Sequence, residues 1–517
     1  MHDATRGHAG WSRRQFILGG ASALGLAGLA LGSGPPMRGR FDAHPFALGV
    51  ASGDPSADGF VLWTRIATAH TDALFLPMQD YEVDWVVAED EALSRVVRRG
   101  RGIARAESAH ALHVEVDGLD ADRWYWYRFR CGGEASPIGR SRTLPAAGAR
   151  VQRLRLALAS CQHYEHGWYA AYRHMLGDDL DLVLHVGDYI YEGSWGPQLR
   201  RHESPHGAQT LADYRNRHAC YKSDADLQRA HAAYPWLVTW DDHEVSNDYA
   251  GLVSAYGEAP SAFAARRAAA YRAYCEHMPL RARSRAGNLL YRRFAFGDLA
   301  TLSVLDDRQY RAAHACAERG AQLGTDCGEL RAPQRSLLGA HQQEWLERGL
   351  ADSDARWNVI GQQTLVAPFV SRGDDAIERV WNDGWDGYPR ARERLLGFIG
   401  EQRIQNVVTL GGDVHAFYAN DLKADFADPA STTVASEFVG TSISSAGDDY
   451  AERVRDLHLN PHVRYFDSRS RGYLRCEITP DLWRSDCVAV DDVSDPHSRA
   501  RTLASLHVEA GRAGVQV

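Results

Sequence analysis

The chain has 517 residues, 44% of them hydrophobic and 24% charged, with 47 glycines and 19 prolines. It is too long for one ordinary domain and too balanced for a disordered or collagen-like polymer, and it can bury a large core. Its 58 basic and 67 acidic residues leave a net charge of −9, which excludes a general nucleic-acid binder held by phosphate contacts.

Residues 1–40 read as an export signal. Paired arginines, Arg13 and Arg14, stand before an uncharged run rich in Ala, Leu and Gly over residues 16–32, the order of a basic n-region and an apolar h-region. The pair placed just ahead of Phe16 resembles the twin-arginine signal. A membrane anchor competes with that reading, but about 17 weakly apolar residues lie at the low end of a spanning length. Export implies a periplasmic or extracellular destination, the twin-arginine translocase as a partner, and a compartment that permits disulfides. Cys316 with Cys327, and Cys476 with Cys487, bracket short turns and are two candidate bridges. The chain has no Cys-x-x-Cys pair, which argues against zinc ribbons and iron–sulfur clusters.

Residues 45–148 are strand-like. Aromatic and β-branched runs at 59–64, 81–87 and 124–129 are broken by turn residues, which predicts a small antiparallel sandwich. Residues 118–122 leading into Trp124-Tyr125-Trp126-Tyr127 resemble a fibronectin-type hairpin. No acid–base cluster falls here, so packing or shaping a site is its expected role. Over residues 151–490, short apolar runs at 154–159, 180–186, 236–240, 299–305, 358–361 and 406–410 alternate with helical stretches such as 168–176, 261–277 and 341–351. That alternation predicts an α/β domain with a largely buried sheet. The polar residues 491–517 predict a loose tail.

Four strand tips carry the chemistry. They are Ser160-Cys161-Gln162-His163, Gly187-Asp188-Tyr189-Ile190-Tyr191-Glu192, Asp241-Asp242-His243-Glu244-Val245-Ser246-Asn247-Asp248 and Gly411-Gly412-Asp413-Val414-His415. Sheets of this class place ligand crevices at strand ends. Carboxylates converging from several strands repel one another unless cations neutralise them. Carboxylate oxygens suit calcium, magnesium or manganese, and a thiolate with a phenolate suits a ferric ion. Each tip alone has an ordinary explanation: a turn or helix cap at Gly-Asp, a buried structural thiol at Cys161, a hydrogen-bonded Asp242–His243 pair. Four such tips in chain order argue for one shared metal site.

These motifs resemble the calcineurin-like metallophosphoesterases, and within them the PhoD-like alkaline phosphatase and phosphodiesterase group. Leu305-Asp306-Asp307-Arg308-Gln309-Tyr310-Arg311 and Trp385-Asp386-Gly387-Tyr388-Pro389 also fit that group. The resemblance implies an α/β fold: a metallophosphoesterase-type β-sandwich flanked by helices, preceded by a small all-β (fibronectin/Ig-like) domain. It makes Cys161, Asp188 and Tyr191 ligands of Fe3+, with Asp188 bridging to Ca2+. Asp242 would hold the second metal, standing where many metallophosphoesterases have Asn. Asp413 and His415 complete the set, and Asn247 is a further calcium candidate. His243, Asp242 and Arg308 are the expected catalytic groups, with His243 facing the phosphate. For Arg308, a salt bridge with Asp306 or Asp307 is the equal alternative. Cys161 replaces the initial Asp-x-His of the commoner superfamily pattern.

The expected activity is hydrolysis of phosphate mono- or diesters by attack of metal-bound hydroxide or oxide, without a phospho-enzyme. Phospholipid and cell-wall teichoic acid fall within the implied substrate range, and a monomer is expected. A phospholipase D-type phosphodiesterase is the nearest alternative. A twin-arginine-exported redox enzyme lacks its cofactor motifs, and a non-enzymatic surface-binding protein leaves the four tips unexplained.

Overall fold

The computed structural model describes residues 41–69, 76–317, 322–324, 327–373, 375–428 and 430–517. The expected export signal lies outside the described residues. Among the described residues, no helix is long and apolar enough to cross a membrane.

Two mixed sheets face each other. The nine-stranded sheet runs, edge to edge, through Ala500–Glu509, Leu482–Val490, Arg471–Ile478, Leu154–Ala159, Leu182–His185, Pro235–Val238, Val50–Ser56, Gly59–Arg65 and Ala111–Val116. The seven-stranded sheet runs through Arg292–Phe296, Ala300–Val304, Trp357–Gly361, Val407–Gly411, Thr433–Val439, Phe417–Lys423 and Val463–Asp467. At the centre of each the pairing is parallel. Parallel strands are covered on both faces and so read as unbroken apolar runs, which is why these segments stood out in the sequence.

The alternation within one strand assigns its two faces. Leu156 and Leu158 join Leu184, Leu302, Val359, Val408, Leu410 and Phe438 between the sheets. Ala157 and Ala159 face the other way, towards Tyr172, Tyr214, Tyr271 and Tyr274. These tyrosines come from helices Ala170–Met175, Leu211–Lys222 and Pro260–His277. Helices Gly339–Ala351 and Pro389–Glu401 cover the outside of the second sheet through Leu346, Leu350, Leu395 and Ile399. The result is a sandwich flanked by helices, as expected. Truncating a fully buried leucine of the central layer, such as Leu184, costs about 2–5 kcal/mol.

The N-terminal region is all-β, but no seam separates it near residue 148. Val50–Ser56 pairs in parallel with Pro235–Val238, so its strands extend the nine-stranded sheet. A five-stranded sheet holding Tyr81–Ala88 and Trp124–Cys131 packs on that extension through Val83, Val87, Tyr127 and Phe129 against Phe60, Leu62 and Val114. The fibronectin-type hairpin is not formed: Ala111–Val116 pairs with Gly59–Arg65, and Trp124–Cys131 pairs with strands of the other sheet. The chain changes sheets across residues 117–123.

Two further expectations are corrected. The supposed loose tail contains Ala500–Glu509, which pairs along the whole of Leu482–Val490; the polar residues belong to an edge strand with one face in solvent. Cys316 and Cys327 are disulfide-bonded, but Cys476 and Cys487 are buried free thiols. On adjacent strands Cys476 pairs in register with Ser485, and Cys487 with Leu474, so the two side chains are not opposed.

Candidate metal centre

All four tips follow the C-terminal ends of parallel strands from both sheets, and close backbone packing brings them together. A Cβ at Gly187 would lie 2.3 Å from the Cβ of Asp241, and one at Gly412 would lie 2.4 Å from Ser160 Oγ. The glycine before each aspartate therefore allows the next tip to approach. Cys161, Asp188, Asp413 and His415 have φ values of 56°, 55°, 65° and 50°. Left-handed backbone costs non-glycine residues about 1–3 kcal/mol each and clusters at functional sites.

Asp188 is the common member of the donor groups. Cys161, Asp188 and His415 each offer a ligand atom, all within 4.8 Å of one another. The same holds for Asp188, Asp241, Asp242 and Asp413, and for Asp188, Asp242 and His243. Tyr191 joins the first group: its hydroxyl donates to Asp188 Oδ2 at 2.9 Å, lies 3.1 Å from His415 Nε2, and accepts from Ser445 Oγ at 2.8 Å.

These donors fit cations. Asp242 Oδ1 is buried without a hydrogen-bond partner. Burial, reinforced by neighbouring negative charge, pushes the Asp188 and Asp413 carboxyls, the Cys161 thiol and the Tyr191 phenol well above their usual ranges. A cluster that cannot ionise together in isolation, with a carboxylate oxygen left open, is complementary to metal ions.

His243 and Arg308 differ in what they can reach. Burial opposes the charge on His243, but Asp242, Glu192 and Asp188 together raise its pKa well above normal. Its Nδ1 lies 2.8 Å from Glu192 Oε2, which leaves Nε2 for a ligand, and the residue lines the central cavity with Asn247. Arg308 is fully buried and does not line that cavity. Its side chain pairs with neither Asp306 nor Asp307; Nε donates to Asp241, and Nη1 bonds both oxygens of Asp383 at 2.8 and 2.6 Å. Arg308 therefore lies among the carboxylates, away from the substrate side.

The cavity measures about 770 Å³, within the range of small-molecule sites, and is lined by Asp188, Asp242, His243, Asp413 and His415. Trp195, Trp381, Phe369 and Tyr418 form other parts of its wall. Trp385 also lines it, although nearly all of it is buried, while Tyr388 belongs to the core.

The PhoD-like phosphatase family profile matches residues 156–487, and the profile of that family's N-terminal domain matches residues 32–145. Alkaline phosphatase D of Bacillus subtilis (strain 168) is 45% identical over 529 residues, covering 98% of this chain and 89% of that protein. The chain belongs to the PhoD-like phosphatase family. A solved structure described as that of PhoD superimposes with a TM-score of 0.88 at 45% identity, covering 92% of this chain and 93% of the other. Membership makes the chain a phosphoesterase.

Within this PhoD-like chain the structure brings together Cys161, Asp188, Tyr191, Asp242, His243, Asp413 and His415. Four residues given no role from sequence support them. Glu244 accepts from the backbone N–H groups of Asp188, Tyr189 and Asp241 at 3.1, 2.6 and 2.8 Å, locking two tips to each other. Glu192 holds His243 and the backbone N–H of Asn247. Ser445 donates to the backbone carbonyl of Cys161 at 2.7 Å or to Tyr191 at 2.8 Å. Asp383 binds Arg308. Glu192 and Glu244 lay inside the quoted motifs, so adjacency was their available signal; Ser445 and Asp383 are distant in sequence from the tips they serve.

Proposed function

We propose that the chain is an alkaline phosphatase with phosphodiesterase activity, exported through the twin-arginine route to the periplasm or cell exterior. Residues 45–148 and 151–490 are its N-terminal and catalytic parts. The observation that carries the reading is Asp188, shared by three donor groups on the wall of a cavity large enough for a phosphate ester. Cys161, Tyr191, Asp188 and His415 would hold a ferric ion, and Asp188, Asp242 and Asp413 a calcium ion, with Asn247 next to them. Bound cations there supply Lewis acidity, shielding the charge of the phosphate and acidifying water.

The chain's own residues do the positioning. His243, its Nδ1 fixed by Glu192, leaves Nε2 on the cavity side to meet a phosphate oxygen. Asp242 lies beside it; against burial, Arg308 and His243 keep its carboxyl below the usual range, so it remains an anionic donor. The Cys161 thiol is 1% exposed and does not line the cavity, so it is not offered to substrate as a nucleophile. Phosphoryl transfer asks for positioning and charge stabilisation more than for protein covalent chemistry.

The test is the purified full-length chain, analysed for metals and assayed in parallel with a phosphomonoester, a bis-ester and phosphatidylcholine. Iron with calcium and turnover of the first two substrates is the expected result. Turnover of phosphatidylcholine alone would replace this reading with the phospholipase D-type one. A metal-loaded chain inert towards all three would refute it.

A further inference from the structure

Arg308 is enclosed by four acids contributed by three separate segments. Besides Asp241 and Asp383, its Nη2 lies 3.7 Å from Asp242 Oδ1 and 3.7 Å from Asp413 Oδ1. Nη2 has no hydrogen-bond partner of its own, and neither does Asp242 Oδ1. Asp383, in turn, is gripped by Arg311 Nη1 at 2.9 Å and His314 Nε2 at 2.9 Å. Both Arg308 and Asp383 are buried. Arg308 does not line the cavity, yet it stands beside two of the three carboxylates assigned to the harder cation.

We propose that Arg308 is a positioning residue, a built-in counter-cation that holds Asp242 and Asp413 in place and, balanced by Asp383, sets how strongly their site attracts metal. The inference rests on the metal-site reading given above. Two unit charges about 4 Å apart interact strongly even at an effective dielectric of 20. Removing Arg308 leaves Asp242 and Asp413 more negative towards an incoming cation. Neutralising Asp383 does the opposite, because the full guanidinium charge then falls on Asp241, Asp242 and Asp413. A salt bridge with only an architectural role would weaken metal binding whichever partner was lost.

The experiment is calcium titration of the full-length, metal-stripped chain by calorimetry, with thermal melts of the metal-free and calcium-loaded forms. Arg308→Met should tighten calcium binding by at least about tenfold, and Asp383→Asn should weaken it by a similar factor. Arg308→Met should also lower the metal-free melting midpoint by roughly 5 °C, with most of that loss recovered on adding calcium. Arg308→Lys keeps a charge but not the fork and should fall between wild type and Arg308→Met in the melts. If Arg308→Met does not fold, Arg308→Lys decides in its place: calcium binding tighter than wild type is the expected result, and weaker binding would overturn the proposal. Loosening by both variants, tightening by Asp383→Asn, or equal losses of melting midpoint with and without calcium would overturn the proposal. A wild-type chain that binds no calcium would instead overturn the metal-site reading itself.

Discussion

The two halves of the centre are built on different terms. Around Asp241, Asp242 and Asp413 the protein supplies its own cation, Arg308. Around Cys161, Asp188 and Tyr191 it supplies no such fixed cation: among the described residues no arginine or lysine pairs with any of the three, and the titratable base with a raised pKa there is His243, grouped with Asp188. Arg471 lies nearby, but it donates to the backbone carbonyls of His415 and Ser468 and to Ser442 Oγ. One half is therefore preorganised electrostatically, and the other depends on whatever cation it takes up. Geometry compensates in part, because Cys161, Asp188 and His415 are held by left-handed backbone and by Ser445, Glu244 and the carbonyl of Ala446.

The most damaging way to break this comparison is to remove the residue both halves share. Asp188→Ala is expected to empty both positions and to reduce turnover by at least about 10³-fold, with metal content and rate falling together. Full activity with metals intact would show that the tips do not form one centre. Cys161→Ser separates the halves. It exchanges a soft donor for a hard one only on the side without an internal cation. Iron should be lost while calcium is retained, with turnover falling about 100-fold. Loss of both metals in proportion would mean that the halves are not independent.

How much of this was legible depends on where each group lies relative to a strand. Asp188, Asp242 and Asp413 follow apolar runs whose burial on both faces makes them conspicuous, so tip and strand announce each other. Glycines 187 and 412 were visible for the same reason. Asp383 was not: it lies in a loop with no periodicity, and its partner Arg308 is distant in sequence. Arg308 itself was noticed but misdirected, because a sequence shows its neighbours Asp306 and Asp307 and hides the three-dimensional ones. The N-terminal strands were legible as strands, yet their merger with the catalytic sheet was not, since alternation fixes a strand's faces without naming its partner.

Glu244 sharpens the comparison by joining the halves through backbone alone. Its carboxylate accepts N–H groups from the Asp188 tip and from Asp241, so Glu244→Gln, which keeps shape but weakens the acceptor, should loosen both sites equally. A 10–100-fold loss of affinity is the scale for groups supporting metal ligands. Parallel losses for iron and calcium are the expected result, and a loss confined to one metal would show that the tips are fixed independently.

The smallest effect belongs to the periphery of the arginine half. The Cys316–Cys327 bond closes a loop with a sequence separation of 11, next to His314, which holds Asp383. Closing a loop of that length stabilises by about 2–3 kcal/mol through the unfolded chain. Replacing both cysteines by serine should lower stability by that amount. Calcium affinity should change no more than about threefold, because Arg308 and Arg311 still grip Asp383 from the far side. If calcium binding collapsed in the double-serine chain, the internal cation would depend on the disulfide for its position, and the preorganisation of that half would have to be moved outward from Arg308 to the covalent link.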